Sequence, residues 1–262
     1  HFLDGLLGVD NNFSADPYFC DAAADDYSIA HDSPCTNLQN LTCGWVGALE
    51  EGCGSTGNYV FLVKPDGTGD YPTIQLAIYA ASDGDVIELA DGVFQGGGNR
   101  QINVQGKAIT IRSASGNNAG CIIDPQGTSS QFHSAFAFFN GEGPETVLES
   151  VTIRNAYMDH GSAFYFGGAS PTINNVAVEN CTSTLSGGAI WVAYSSAPVF
   201  NNCTFDSNAC DLTGGVIHIE SGNSAAFNGC TFEGNSAGTR GGVAYVDGGD
   251  ATFAGCAFRG ND

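Results

Sequence analysis

Apolar and polar positions over the last hundred residues fall into four segments that overlay almost without gaps. Gly187-Gly188, Gly214-Gly215 and Gly241-Gly242 recur at intervals of 27 residues. Each pair is followed by a short apolar run: Ala189 to Val192, Val216 to Ile219, Val243 to Val246. A degenerate copy starts at Gly161 with Ala163 to Phe166. Further along each copy come Val176, Cys203, Cys230 and Cys256, then Val178, Phe205, Phe232 and Phe258, and in three copies an asparagine: Asn208, Asn235, Asn261. The runs alternate, are rich in β-branched and aromatic residues, and are separated by turn residues, which predicts short strands.

A fixed period of this size implies stacking, because a unit this small buries its apolar face only against its neighbours. In Cys203-Thr204-Phe205 the outer two residues share a face and Thr204 lies on the other. Stacked copies would therefore align inward columns of valine with cysteine and of valine with phenylalanine. The asparagines would form a ladder of side-chain amides along one turn. No helical period runs through the region. The expected fold is all-β, a parallel β-helix with three short strands in each turn of about 25 residues.

Composition narrows the function. Seven basic residues face 28 acidic ones, a net charge of −21. That balance excludes nucleic acid as a partner, since its phosphates require cations. It suits solubility and leaves room for calcium, with the acidic loops Asp21 to Asp26 and Asp247 to Asp250 as candidates. Solvated acidic surface is the plainer reading of both loops. No apolar run is long enough to span a bilayer. No signal-peptide pattern stands at the front, which fits a mature exported chain. Of ten cysteines, Cys20, Cys35, Cys43 and Cys53 crowd a loop-rich stretch with little core, where disulfides are expected outside the cell. Cys20–Cys35 with Cys43–Cys53 is the preferred of three connectivities. Cys203, Cys230 and Cys256 read as packing residues. Cys181 and Cys210 are candidates for a bridge between successive coils. The Cys and His spacings suit no zinc site.

Gly187-Gly188-Ala189-Ile190, with Phe205-Asp206-Ser207-Asn208, Phe232-Glu233-Gly234-Asn235 and Phe258-Arg259-Gly260-Asn261, resembles the GGA(I/L/V) and FxxN repeats of polymorphic outer-membrane proteins. The resemblance covers roughly residues 161–262 and implies an extracellular, adhesive surface role. Upstream, Val63 to Gln75, the run Leu76 to Ala81, Gly84 to Leu89 and Gly92-Val93-Phe94 resemble the opening of pectin-lyase-like β-helices, pectin methylesterases among them. That resemblance implies a right-handed coil whose first turn is capped by a short amphipathic helix. Ile74, Ala77, Ile78 and Ala81 fall on one helical face, and Pro72 suits its start. Residues 58–262 thus read as one right-handed parallel β-helix, and residues 1–57 as a disulfide-rich finishing segment. Asn12 to Asp21, with Ser33-Pro34-Cys35 and Cys43 to Leu49, resembles the run that finishes the C-terminal end of other secreted β-helix proteins, although here it stands at the front.

That inversion suggests head-to-tail self-assembly, in which residues 1–57 of one subunit complete the last coil of the next. Phe2, Leu3, Leu6, Leu7 and Val9 would cover Phe253, Cys256, Phe258 and Asn261. An excised piece of a longer tandem array explains the same features. Tyr165, Trp191, His218 and Tyr245 occupy one column flanked by inward apolar residues, so alternation turns them outward as an exposed aromatic stripe. The stripe could stack on sugar rings or on a neighbouring subunit; large residues stacking along a sheet face explain it equally. Asn12-Phe13-Ser14, Asn40-Leu41-Thr42, Asn180-Cys181-Thr182 and Asn202-Cys203-Thr204 match the glycosylation pattern, with Asn12 and Asn40 the more accessible. The catalytic motifs of methylesterases and polygalacturonases are missing, and the least dispersed acid–base group is His218, Glu220 and Asp247. The sequence therefore predicts a non-enzymatic, extracellular structural or adhesive protein that polymerises. A secreted module that binds or degrades polysaccharide is the alternative.

Overall fold

The computed structural model describes residues 58–262 throughout and, ahead of them, the backbone of three short strands. The chain divides into two compact units, His1–Asn58 and Tyr59–Asp262. In the first unit Phe19–Asp21 runs antiparallel to Asp26–Ala30, which pairs in parallel with Glu51–Cys53. The expectations for Phe2, Leu3, Leu6, Leu7 and Val9, for the pairing of Cys20, Cys35, Cys43 and Cys53, for the Asp21 to Asp26 loop and for glycosylation at Asn12 and Asn40 lie outside the described residues.

The second unit is a solenoid of parallel strands arranged in four sheets of six, eight, seven and four strands. One coil shows the plan. Thr182–Ser186, Ile190–Ala193, Val199–Asn201 and Thr204–Asp206 belong in turn to the four-, six-, eight- and seven-stranded sheets. Each strand pairs in parallel with its counterpart one coil on, as in Phe164↔Ile190↔Ile217. The expectation of three strands per turn is amended here: the later coils carry a fourth. Its strands are Tyr157–His160, Thr182–Ser186, Ala209–Cys210 and Ser236–Ala237; all are short, and the last three are rich in serine, threonine and alanine, so their pattern reads as a turn. Stacking supplies the partners that such a strand lacks on its own.

The predicted columns fill the core. Val176, Val178, Cys203, Phe205, Cys230 and Phe232 are almost completely buried. Phe205, Phe232 and Phe258 stack at 5.1 and 5.0 Å with rings within 8° of parallel. A second column, Phe200, Phe227 and Phe253, stacks at 4.8 and 5.1 Å and meets the first edge-on. Offset stacking within a column and edge contacts between columns are the two arrangements that the ring quadrupole favours. Gly188 allows the coils to close at the corner, since a methyl group there would collide with the Gly215 carbonyl of the next coil.

The asparagine ladder forms as expected. Asn208 Nδ2 donates to Asn235 Oδ1 at 3.0 Å, and Asn235 Nδ2 donates to Asn261 Oδ1 at 2.9 Å. The same oxygens accept the backbone N–H of the preceding coil, Asn208 N at 2.9 Å and Asn235 N at 3.0 Å. The second amide hydrogens go to Val178 O and Phe205 O at 3.0 and 2.9 Å. Each side chain thus satisfies a corner where the turn leaves backbone groups unpaired inside the core.

Ile74–Ala80 is the helix, with Thr73 Oγ1 accepting from Leu76 N at its start. Ile74, Ala77, Ile78 and Ala81 are buried, and the helix packs on Val60–Val63, Val86–Leu89 and Ile102–Asn103. Lys107 Nζ donates to the carbonyls of Ile78, Tyr79 and Ala81 at 2.6, 3.0 and 2.7 Å. These are groups that a helix C-terminus leaves without intrahelical donors. Burial lowers the pKa of this ammonium, while Asp83 and Asp85 oppose the shift.

The expected bridge between Cys181 and Cys210 is not formed; both are free, buried thiols. The two stand two positions apart in register. Cys181 lies beside Asn208, whose Oδ1 accepts its N–H at 3.0 Å, and Cys210 pairs with Ser183. Burial pushes the Cys181 thiol up to about 12. Cys203, Cys230 and Cys256 are likewise free. The columns finish at Phe253, Cys256 and Asn261, which are half-buried, and at Phe258, which is 51% exposed.

Candidate functional site

The outer face of the six-stranded sheet carries one column in unbroken register: Asn103, Ala137, Tyr165, Trp191, His218 and Tyr245. The neighbours on either side, such as Phe164 and Phe166 or Ile190 and Val192, point into the core. The predicted column of Tyr165, Trp191, His218 and Tyr245 is therefore present, with Tyr165 and Trp191 at 4.7 Å and His218 and Tyr245 at 5.1 Å. Its exposure is not as expected. Trp191 is only 7% accessible, and Tyr165, His218 and Tyr245 are half-buried. The indole is covered from outside by His160 at 5.3 Å and meets Tyr194 edge-on at 6.1 Å. His160 belongs to the fourth sheet, so the sequence register alone does not reveal this cover.

Where the column becomes small, a cleft of ≈ 720 Å³ opens. Its volume lies within the range of about 300–1,000 Å³ common to ligand sites. Asn103, Ala137 and Tyr165 lie along its floor column, Phe139, Gly167 and Tyr194 follow the strands on one side, and Met158 and His160 come from the fourth sheet. Gln101 and Ser134 complete the lining. Gly167 lets the Tyr165 ring lie across the sheet, because a Cβ there would sit 2.9 Å from Tyr165 Cε1.

Two aromatic rings stand out of the molecule beside this cleft, Phe139 at 50% and Tyr194 at 68% exposure. Tyr194 and Ser195 both have left-handed backbone, with φ of 57° and 65°. A bulky residue in that region is uncommon, and surrounding structure must hold it there. Ser196 does so. Its Oγ donates to Ala193 O at 2.7 Å and accepts from Gly168 N and Ala169 N at 2.8 and 3.0 Å, while its own N–H donates to Asn223 Oδ1 at 2.9 Å.

The polar lining is mostly uncommitted. Asn103 Oδ1 accepts from Gln105 N and Asn140 Nδ2 at 2.8 Å each, which leaves the Asn103 amide hydrogens as donors. His160 Nδ1 is buried without a hydrogen-bond partner among the described residues. The Tyr165 phenol is held protonated beyond its ordinary range, first by burial and then by Tyr194 and Glu220, so it remains a donor at neutral pH. Amide, hydroxyl and imidazole groups set between aromatic rings can bind a hydroxylated ring by hydrogen bonds at its edge and stacking on its face.

The acid–base group named from the sequence does not enter this cleft. His218 Nδ1 lies 3.0 Å from Thr213 Oγ1, and burial lowers the imidazole pKa against the raising influence of Glu220 and Asp247. None of His218, Glu220 and Asp247 lines the cleft. Among the described residues no three His, Cys, Asp or Glu side chains converge as a metal-binding set, the Asp247 to Asp250 loop included. Nor is any helix among them long and apolar enough to cross a membrane. Gln101, Asn103, Ser134, Phe139, Met158, His160 and Tyr194 escape a reading by period, since they come from coils of unequal length. A tyrosine within Ala193-Tyr194-Ser195-Ser196-Ala197 was the available signal, a large ring in a turn of small residues.

Parallel coils of this kind, with a cleft on an outer sheet face, define a β-solenoid with a lateral cleft. The family model described as right handed beta helix region matches residues 85–258, and the chain belongs to that family. No curated protein matches it. Among solved structures it is similar to the pectin methylesterase from carrot, at 15% identity over 78% of this chain and 85% of that one, with a TM-score of 0.35. It is also similar to the pectin methylesterase from Aspergillus niger, at 12% identity over 80% and 88% of the two chains, with a TM-score of 0.34. No activity is carried over from either.

Proposed function

We propose that this chain is a carbohydrate-binding β-helix module, with the cleft beside Tyr194 as its sugar site. The observation that carries the reading is Tyr194 itself, a tyrosine held 68% exposed on left-handed backbone beside a cleft of uncommitted polar groups. A fold under selection for stability alone has no use for that arrangement, which is what a preorganised stacking platform requires. Binding is the simpler reading of a cleft whose lining carries no pair of carboxylates of the kind most glycoside hydrolases use. Ile74–Ala80 serves as the plug of the first coil of an extracellular protein.

Tyr194→Ala tests the site. Loss of a central aromatic contact costs about 1–2 kcal/mol, so affinity for a bound polysaccharide should fall roughly five- to thirtyfold. The thermal midpoint should stay within about 2 °C, since an exposed side chain contributes little to stability. Unchanged affinity in affinity electrophoresis or calorimetry would remove the cleft as the site.

A further inference from the structure

We infer that the cleft takes neutral sugar chains and rejects polyuronates, an inference that rests on the carbohydrate-binding reading above. The lining supplies amides, hydroxyls, one imidazole and aromatic faces, and it contains no lysine, arginine, aspartate or glutamate. A chain with one carboxylate per sugar needs cations to replace the water it loses on entering a cleft. Four of the seven basic residues already have partners within the fold. Arg112 pairs with Glu88 at 2.8 Å and Arg154 with Asp124 at 3.3 Å. Lys107 is tied to three helix carbonyls, and Arg100 Nη1 lies 3.1 Å from His133 Nδ1.

Two carboxylates lie near the cleft. Glu142 is 1% exposed beside the Phe139 rim, its carboxylate fixed by Gly106 N at 2.9 Å and Asn140 N at 3.0 Å. Glu220 stands close enough to the floor to act on the Tyr165 phenol. Beyond them lies the field of a chain whose net charge is −21. At low ionic strength such a field reaches tens of ångströms and opposes the approach of a polyanion, whereas a neutral chain is unaffected.

The test measures binding of the full chain to a panel of soluble polysaccharides at 20 mM and at 500 mM salt. The neutral arm holds a galactan, a glucomannan and an arabinoxylan. The charged arm holds polygalacturonate and alginate, and a fully methyl-esterified galacturonan serves as the same backbone without its charge. The expected result is at least one neutral ligand bound about tenfold or more tighter than any polyuronate at low salt, with the gap narrowing at high salt. That binding should weaken in Tyr194→Ala. A polyuronate bound as tightly as the best neutral chain would overturn the inference and leave the carbohydrate reading standing. Binding to no member of the panel, with the protein folded by circular dichroism, would overturn both.

Discussion

Phe227→Ala is expected to lower the thermal midpoint of the solenoid by about 6–20 °C, the largest effect of any single truncation considered. Phe227 is fully buried, stacked between Phe200 at 4.8 Å and Phe253 at 5.1 Å and met edge-on by Phe205 and Phe232. Removing a ring from such a site costs about 3–5 kcal/mol in lost transfer energy and residual cavity. For a domain of this size each kcal/mol corresponds to about 2–4 °C. Because each coil touches only its neighbours, the loss should concentrate in the coils either side of Phe227. Hydrogen exchange should report it there first, at the amides of Val199–Asn201 and Asp250–Ala254. Thr204→Ala on the exposed face is the control and should change little. A shift for Phe227→Ala no larger than that of the control would mean that the phenylalanine columns do not hold the coils together.

Asn235→Ala should rank close behind, although it removes no large apolar surface. The Asn235 side chain accepts from Asn208 N and Asn208 Nδ2 at 2.9 and 3.0 Å and donates to Phe205 O and Asn261 Oδ1, both at 2.9 Å. Asn208 and Asn235 are both fully buried, so water cannot take over these bonds. Each stranded interior group costs about 1–3 kcal/mol. The Asn208 amide and the Phe205 carbonyl together therefore give a loss of roughly 2–6 kcal/mol. Chemical denaturation checks this directly. A cost below about 1 kcal/mol would show that the corner re-pairs its backbone without the amide. The outer ladder of Asn174, Asn201 and Asn228, linked at 2.9 Å per rung, offers the contrast. It lies at the surface, where solvent replaces what a substitution removes, so Asn201→Ala should cost far less.

The difference between these two ladders bears on what could be read without a structure. The columns of Val176 with Cys203 and Val178 with Phe205, and the asparagines after them, are legible because one coil copies the next at a constant spacing. A shared register puts equivalent residues at the same depth. The column of Phe200, Phe227 and Phe253 obeys nearly the same spacing and was open to the same reasoning. The fourth strand was not, since Thr182–Ser186 has the composition of a turn and becomes a strand only through its parallel neighbours. Cys181 and Cys210 seemed equivalent by rough spacing, and a slip of two positions was enough to separate them.

The sequence by itself determined the solenoid, its inward columns and its buried amide ladder, because each follows from local alternation repeated at a fixed interval. Only the tertiary structure decided what is exposed. Alternation says which way Trp191 points, but its burial depends on His160 and Tyr194, which the corners of different coils carry to it. The cleft has the same origin. Gln101 and Tyr194 are far apart in the chain and share no period, and they line one cleft because small residues, Ala137 and Gly167, lie between larger ones. Periodicity fixes direction within a coil, whereas accessibility is a sum over neighbours that the chain brings in from elsewhere.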